Sequence, residues 1–199
     1  MRLADLTPDD LTDDQRALHD RIVGGPRGLG PQHFDRTTED GALNGPFGVM
    51  LHEPALGTPL QELGSAIRYA TGLTDRVREI AILAVAAATC SDFERHAHER
   101  VGRAVGLSDE ELRTLAGGTF SSCDPVEESA YALCRRLLDG RSRLTDDEYD
   151  DLRAALGTTA ITQLVVLVGY YRTLAQLLDV FDVGVPTRDP ISSARSSRA

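Results

Sequence analysis

Three ionisable side chains, Glu79, Glu94 and His98, have a spacing that could bring them together for proton transfer. Glu79 stands at the start of an apolar run over residues 80–88, so its carboxylate is expected to point along the buried face of a helix. Glu94 and His98 are four residues apart and would share one helix face. Carboxylates and a histidine against an apolar wall have shifted pKa values, which suits general acid–base chemistry.

A helix break between Glu79 and His98 would let these two groups meet. Ser91 followed by Glu94 is typical of a capping box, so one helix is predicted to end near residue 89 and the next to begin at 92. Glu79 lies about ten residues before this break and His98 about seven after it. At about 1.5 Å per residue they reach similar heights on antiparallel neighbours.

Simpler roles are open for each of the three residues. Glu79 could pair with Arg76 or Arg78 near the start of its helix. Glu94 could serve only in the capping box, and His98 could be a hydrogen-bonded surface histidine. The spacing alone leaves these alternatives in place.

The same segment offers little for metal or thiol chemistry, and we predict no metal site. His96 and His98 would diverge by about 200° around a helix, so they cannot share an ion. One histidine with Glu79 and Glu94 is an uncommon ligand set. Cys90 has no second cysteine two or three residues away, which excludes a dithiol pair, and a lone cysteine is expected in the core.

Four further residues are candidates for contacting a substrate: Asn44, Phe47, Arg78 and Tyr170. Asn44 and Phe47 belong to an Asn-Gly-Pro-Phe segment that could line a pocket or simply form the turn at the start of a helix. Tyr170 follows an apolar run and could equally be a core residue. All 21 basic residues are arginine, so an anionic substrate must be held by arginine or protonated histidine.

Composition narrows the class of protein. The 199 residues are 41% hydrophobic and 26% charged, which is typical of a globular chain, and the net charge of -10 disfavours nucleic acid or an anionic membrane as partner. The polar N-terminus has no signal core, and the apolar runs 80–88 and 164–168 are too short to cross a bilayer. With three cysteines in no disulfide pattern, a cytoplasmic location is expected.

Helix-start signals recur along the chain and predict an all-α fold. A cap residue precedes Glu or Gln by three positions at Thr12/Gln15, Ser91/Glu94, Ser108/Glu111, Asp124/Glu127 and Thr145/Glu148. The predicted helices cover 12–23, 49–71, 74–89, 92–105, 108–116, 125–139, 145–156 and 159–180. A long Gly/Pro-rich loop covers 24–48, and similar apolar runs at 78–85 and 162–169 indicate a pseudo-repeat of two buried helices, which favours oligomerisation.

The motifs resemble those of the carboxymuconolactone decarboxylase family of the AhpD-like superfamily. The resemblance covers residues 44–185 and rests on Asn44-Gly45-Pro46-Phe47, Leu51-His52-Glu53-Pro54-Ala55-Leu56, Arg76-x-Arg78-Glu79-x-Ala81-Ile82-Leu83, Ser91-Asp92-Phe93-Glu94, His98, Ala104-x-Gly106-Leu107-Ser108 and Val168-Gly169-Tyr170-Tyr171. It implies three parts: an N-terminal helix and loop extension over 1–43, an AhpD-like helical domain over 44–185 and a flexible tail over 186–199.

The resemblance also implies an activity and an assembly. Peroxidase members carry Cys-x-x-Cys-x-x-x-His with an upstream Glu; here Glu79 and His98 match the Glu and His, while Ser91 and Glu94 stand where the cysteines would be. The acid–base groups are retained without the redox pair. This implies a carboxy-lyase that needs no cofactor, with a small carboxylated lactone or related anion as substrate, working as a homo-oligomer (dimer, trimer or hexamer).

Three other functions stay open at this point. One is a cofactor-free isomerase, dehydratase or ring-rearranging enzyme of secondary metabolism, because longer family members act on varied substrates. The second is a non-catalytic oligomeric binding protein that kept the fold. The third is an alkylhydroperoxidase-like peroxidase, against which the missing Cys-x-x-Cys argues.

Overall fold

The computed structural model describes residues 1–29 and 33–186 of the chain. These residues form helices joined by turns, and no sheet strand occurs among them; Thr37 and Leu43 form an isolated bridge. The predicted all-α fold is confirmed. The predicted flexible tail lies, apart from residue 186, outside the described residues.

The helices follow one another with short connections after residue 45. They are α1 (Asp13–Gly24), α2 (Pro26–Leu29), α3 (Pro46–Leu51), α4 (Pro54–Tyr69), α5 (Asp75–Thr89), α6 (Asp92–Ala104), α7 (Asp109–Ala116), α8 (Pro125–Leu138) and α9 (Asp146–Val180), and a single 3-10 turn at Pro8–Asp10 precedes them. The short helix α2 lies inside the segment that the sequence predicts to be loop.

One predicted helix boundary is wrong and another is confirmed. The helix predicted over 49–71 is two helices, because α3 ends at Leu51 and Pro54 opens α4, where its fixed φ and missing N–H suit a first turn. The helices predicted over 145–156 and 159–180 are both present, and α9 consists of these two helices joined across a kink. The kink lies at Gly157, whose backbone is non-helical (φ 75°, ψ 155°) and which directly follows the predicted helix end at residue 156.

Three of the five predicted capping boxes form as expected. Both reciprocal hydrogen bonds are present at Thr12/Gln15, Ser108/Glu111 and Thr145/Glu148. At Asp124/Glu127 the aspartate accepts from the Val126 N–H, while Glu127 is engaged by Arg76. At Ser91/Glu94 the serine side chain makes no cap hydrogen bond.

The chain divides into two compact units, and the first comprises residues 1–65 with the described residues from 177 onward. Within it, Leu18 and Ile22 of α1 are buried, and Gly57 lies so close to the Met50 carbonyl and the Leu18 side chain that a Cβ would not fit. The Arg2 guanidinium donates to the Val180 carbonyl at 2.7 Å. This contact ties the N-terminal segment to the end of α9.

The second unit comprises residues 66–176, with α5 at its centre. Every residue of α5 from Val77 to Ala86 is buried, and the helix packs against α6, α7 and α8. Arg76 joins three of these helices, because its Nε donates to Glu127 at 2.7 Å and its Nη2 to Glu111 at 2.6 Å. The site residues discussed below lie in this unit.

The second helix of the predicted pseudo-repeat is less buried than the first. In α9, Leu164 and Leu167 are buried, whereas Val165 and Val166 are exposed. By length and composition alone α9 could cross a membrane, a criterion that core helices of soluble proteins also meet. The expectations of no membrane partner and a cytoplasmic location stay predictions, and so does the three-part division of the chain.

Candidate functional site

The predicted hairpin between α5 and α6 positions the candidate catalytic residues. The Thr74 side chain accepts from the Val77 N–H and begins α5, and Cys90 ends it in the left-handed conformation (φ 53°). The Ser91 N–H then donates to the Ala86 carbonyl at 3.0 Å before α6 starts at Asp92. The break falls where the sequence predicts it, so the two helices run back along each other.

Glu79, Glu94 and His98 meet across this hairpin. Glu79 Oε2 lies 2.6 Å from His98 Nδ1, and Glu94 Oε2 lies 3.4 Å from His98 Nε2. The three side chains are 1%, 5% and 7% exposed, respectively. One buried imidazole therefore has a carboxylate at each of its two nitrogens.

The structure also selects between the simpler roles left open for these residues. Glu79 does not pair with Arg76, which is engaged by Glu111 and Glu127 on α7 and α8. His98 is buried rather than at the surface. Glu94 is not part of a capping box, because its position on α6 turns the carboxylate toward His98, one helical turn further on.

The buried charges hold one another in their ionised forms. Burial alone would raise the pKa of Glu79, but the charge and hydrogen bond of His98, followed by the charges of Arg68 and Arg78, hold that pKa below its ordinary value. Burial alone would lower the pKa of His98, but Glu79 and then Glu94 raise it. Both shifts favour the ion pair, in which Glu79 is a carboxylate and His98 an imidazolium.

Each carboxylate keeps one oxygen without a hydrogen-bond partner. Glu79 Oε1 and Glu94 Oε1 are both buried and both lack such a partner. A buried carboxylate oxygen in this state is costly and readily accepts a hydrogen bond. A hydroxyl or N–H group of a bound molecule would satisfy it.

Two residues that the sequence analysis missed complete the surroundings of His98. Arg68 Nη1, from the last turn of α4, lies 3.6 Å from Glu79 Oε1. Tyr171 accepts a hydrogen bond from Arg68, and its ring stands edge-on to the His98 ring with centroids 5.3 Å apart. Tyr171 is adjacent to the predicted Tyr170, but no local pattern distinguishes Arg68, whose role depends on tertiary packing.

The predicted substrate-contacting residues fall into two groups. Arg78 is buried, and its charge acts on Glu79. Its Nη2 is hydrogen-bonded to Asp75, and its Nε lacks a hydrogen-bond partner. Tyr170 is also buried and contacts the ring of Tyr171 edge-on at 5.2 Å. Asn44 and Phe47 lie in the unit formed by residues 1–65 and 177 onward, where Asn44 Nδ2 donates to the Asp35 carbonyl at 3.0 Å. Substrate contact by these four residues stays a prediction.

The cysteines take no part in the cluster. Cys90, which the sequence analysis expects in the core, is exposed at the end of α5, because the left-handed turn directs it away from the packed face. Cys123 is exposed, and burial raises the pKa of the Cys134 thiol to about 12. Within residues 1–29 and 33–186, no group of three or more His, Cys, Asp or Glu side chains is arranged to hold a metal ion.

Comparisons with known proteins agree with the family resemblance in the sequence. Residues 54–135 match the carboxymuconolactone decarboxylase family. No curated protein matches the chain. The match includes α5 and α6 and therefore Glu79, Glu94 and His98.

Two solved structures share the fold. One is a protein of unknown function from Agrobacterium tumefaciens, named as a candidate antioxidant defence protein AhpD, with a TM-score of 0.63 and 17% identity over 73% of this chain and 100% of that one. The other is the debrominase Bmp8, in a cysteine-to-alanine variant bound to 2,3,4-tribromopyrrole, with a TM-score of 0.70 and 11% identity over 98% of this chain and 97% of that one. Because the sequence identities are this low, the structural similarity shows only that the chain has an AhpD-like all-α fold.

Proposed function

Residues 54–135 match the carboxymuconolactone decarboxylase family and the fold is AhpD-like, and on this basis we propose that the chain is a cofactor-independent carboxy-lyase acting on a small carboxylated lactone or related anion. One observation carries the proposal: the buried imidazole of His98 lies between two buried carboxylates. The resemblance adds that Glu94 stands where peroxidase members of the superfamily have a cysteine. Such a cluster moves protons and has no thiol to exchange electrons.

The substrate itself supplies the electron sink in this reaction. The bond between the ring carbon and the carboxylate breaks, CO2 leaves, and the electron pair moves into the lactone carbonyl to form an enolate. A carbon of this enolate then takes one proton from the site and the carbonyl is restored. The protein contributes the proton and the positioning of the substrate.

We infer a role for each side chain of the cluster from its contacts. His98 is the proton source, because Glu79 holds it as an imidazolium through Nδ1. Glu94 faces Nε2, where it passes the proton toward the substrate, and its free oxygen Oε1 accepts a hydrogen bond from the bound molecule. Arg78 and Tyr170, which lie in the same unit as the cluster, are proposed to hold the substrate.

The proposal is tested with γ-carboxymuconolactone, by following its ultraviolet absorbance and the release of CO2. General acid–base catalysis contributes a factor of about 10² to 10⁴, so Glu94→Gln should lower turnover by that factor. Glu99→Gln is the matched control, because Glu99 lies on the same helix and faces Arg103 at 4.0 Å instead of His98. Equal turnover by Glu94→Gln and the parent would contradict the assignment.

The same assay separates the alternatives. A change in the spectrum of the substrate without CO2 would indicate an isomerase or ring-rearranging enzyme at the same site. Binding without any turnover, in folded protein, would indicate a binding protein. Thiol-dependent consumption of a peroxide would indicate a peroxidase. Homo-oligomeric assembly is part of the proposal and is measured by sedimentation of the purified protein.

A further inference from the structure

Arg68 completes a ring of contacts that also includes Glu79, His98 and Tyr171. Its Nη1 lies 3.6 Å from Glu79 Oε1, while the other oxygen of the same carboxylate lies 2.6 Å from His98 Nδ1. Tyr171 closes the ring, because it accepts a hydrogen bond from Arg68 and packs edge-on against the imidazole. All four residues lie in the unit formed by residues 66–176.

Arg68 and Arg78 both place a positive charge near Glu79. The charge of Arg68 follows that of His98 among the causes that lower the pKa of Glu79, and the charge of Arg78 comes after it. Arg78 is itself engaged by a hydrogen bond to Asp75, whereas Arg68 faces Glu79 Oε1. A buried carboxylate is costly without a cation, so Arg68 is the arginine that should matter most to the charge of Glu79.

The proton between Glu79 and His98 has two possible positions. On His98 Nδ1 it gives an ion pair, and on Glu79 Oε2 it gives a neutral carboxylic acid and a neutral imidazole. A cation beside Glu79 stabilises the ion pair, because it favours the charged carboxylate more than the distant imidazolium disfavours it. Only the imidazolium is a strong proton donor at Nε2.

We propose that Arg68, oriented by Tyr171, is a positioning residue that keeps the proton shared by Glu79 and His98 on the imidazole. In its absence the Nδ1–H bond breaks and an O–H bond forms on Glu79 Oε2, with no other reactant involved. His98 then becomes a neutral imidazole and ceases to supply the proton that the proposed function requires. The inference deepens that proposal, but the location of the proton does not depend on the substrate.

The groups that face His98 come from three helices in the described part of the chain. Glu79 contributes from α5, Glu94 from α6 and Tyr171 from α9. Arg68, at the end of α4, acts through Glu79. Removing the charge of Arg68 should therefore change the protonation of His98 Nδ1, because Glu79 is hydrogen-bonded to that nitrogen at 2.6 Å.

The experiment records ring ¹⁵N signals of the full-length protein labelled at histidine, at neutral pH. The sequence has five histidines, and His98→Gln identifies the His98 signals by their absence. In the parent both ring nitrogens should give signals of the protonated type. In Arg68→Met the Nδ1 signal should move to the unprotonated type, whereas Arg68→Lys should keep the parent spectrum.

Two further variants test the parts of the inference separately. Tyr171→Phe retains the ring and the arginine but removes the hydroxyl, and it should shift the Nδ1 signal part of the way. Arg78→Met is the matched control, because it removes the arginine whose charge Asp75 offsets, and it should shift that signal less than Arg68→Met.

Specific results would overturn the inference. If folded Arg68→Met still shows both ring nitrogens protonated, the inference is wrong. It is also wrong if Arg68→Lys shows an unprotonated Nδ1, because the positive charge at this position would then not be the cause. If Arg68→Met does not fold, Tyr171→Phe decides, and an unchanged Nδ1 signal counts against the inference. Absence of decarboxylation with these ¹⁵N results as expected would contradict the proposed function alone.

Discussion

Glu79 and Glu94 contact opposite nitrogens of one imidazole, the first at 2.6 Å and the second at 3.4 Å. The shorter contact lies on the side where Arg68 and Arg78 also act. Both carboxylates keep one oxygen without a hydrogen-bond partner, but that of Glu79 lies 3.6 Å from Arg68 Nη1. The two carboxylates are therefore not equivalent. Glu79 fixes the charge of His98, and Glu94 is the better placed to exchange a proton with a ligand.

The pH dependence of stability should show the ion pair between Glu79 and His98. Glu79 has a pKa below its ordinary value of 4.5, so its contribution is complete above that value and is lost as the pH falls through the lowered pKa. His98 has a pKa above its ordinary value of 6.5, so its contribution is complete below that value and is lost as the pH rises through the raised pKa.

The measurement is urea unfolding of the parent and of His98→Gln across this pH range. The difference in free energy of unfolding should be largest between the ordinary values of 4.5 and 6.5 and should decline on either side. A difference that increases as the pH rises into the alkaline range would show that His98 is buried in its neutral form.

Arg76→Met should destabilise the protein more than other arginine substitutions in helices of this unit. The guanidinium binds Glu111 and Glu127, and Glu127 is buried, so its removal leaves a buried carboxylate without a cation. Breaking such a pair costs about 3 kcal/mol. Arg95→Met is the control, because Arg95 and Asp92 form an exposed pair, and it should cost less than about 0.5 kcal/mol in the same urea titration.

Alanine should have opposite effects at two glycines of α9. Gly157 has φ 75° and ψ 155°, a conformation that is strained for any residue with a Cβ, so Gly157→Ala should cost about 1–2 kcal/mol. Gly169 lies in the helical part with open space around its Cα, so Gly169→Ala should stabilise by about 0.5–1 kcal/mol. Thermal unfolding of both variants gives the sign of each change in stability. If both variants were stabilised or both destabilised, the non-helical backbone at Gly157 would be contradicted.

The three thiols should differ in reactivity toward a disulfide reagent such as Ellman's reagent. Cys90 and Cys123 are exposed and should react in the native protein. Cys134 is buried, and burial raises its thiol pKa to about 12, so it should react only after unfolding. The absorbance of the released thiolate counts the groups, and rapid reaction of all three in native protein would show that the core around α8 opens readily.

The part of the site that depends on local geometry could be predicted from the sequence. The meeting of Glu79 and His98 follows from helix rise and from the position of one break, both of which are local properties. The capping boxes at Thr12, Ser108 and Thr145 form for the same reason. Two predicted capping boxes did not form because the glutamate met another partner: Glu94 turns to His98 on its own helix, and Glu127 turns to Arg76 on α5.

Arg68 could not be predicted, because its position beside Glu79 depends on how the last turn of α4 packs in the unit formed by residues 66–176. The same holds for the choice of Tyr171 over Tyr170 as the neighbour of His98, since both are buried aromatic residues in one helix. Periodicity indicates which residues are buried but not which partner each will meet.

The connection between α5 and α6 is only two residues long, and Glu79 and His98 are 19 residues apart in the chain. The entropy of closing so short a loop is small, so this hairpin has low contact order and can form before distant parts of the chain come together. The geometry between Glu79 and His98 in the candidate site is therefore encoded in a segment that folds on local information. Its backbone amides between Ile80 and Ala86 should be among the slowest to exchange with solvent deuterium.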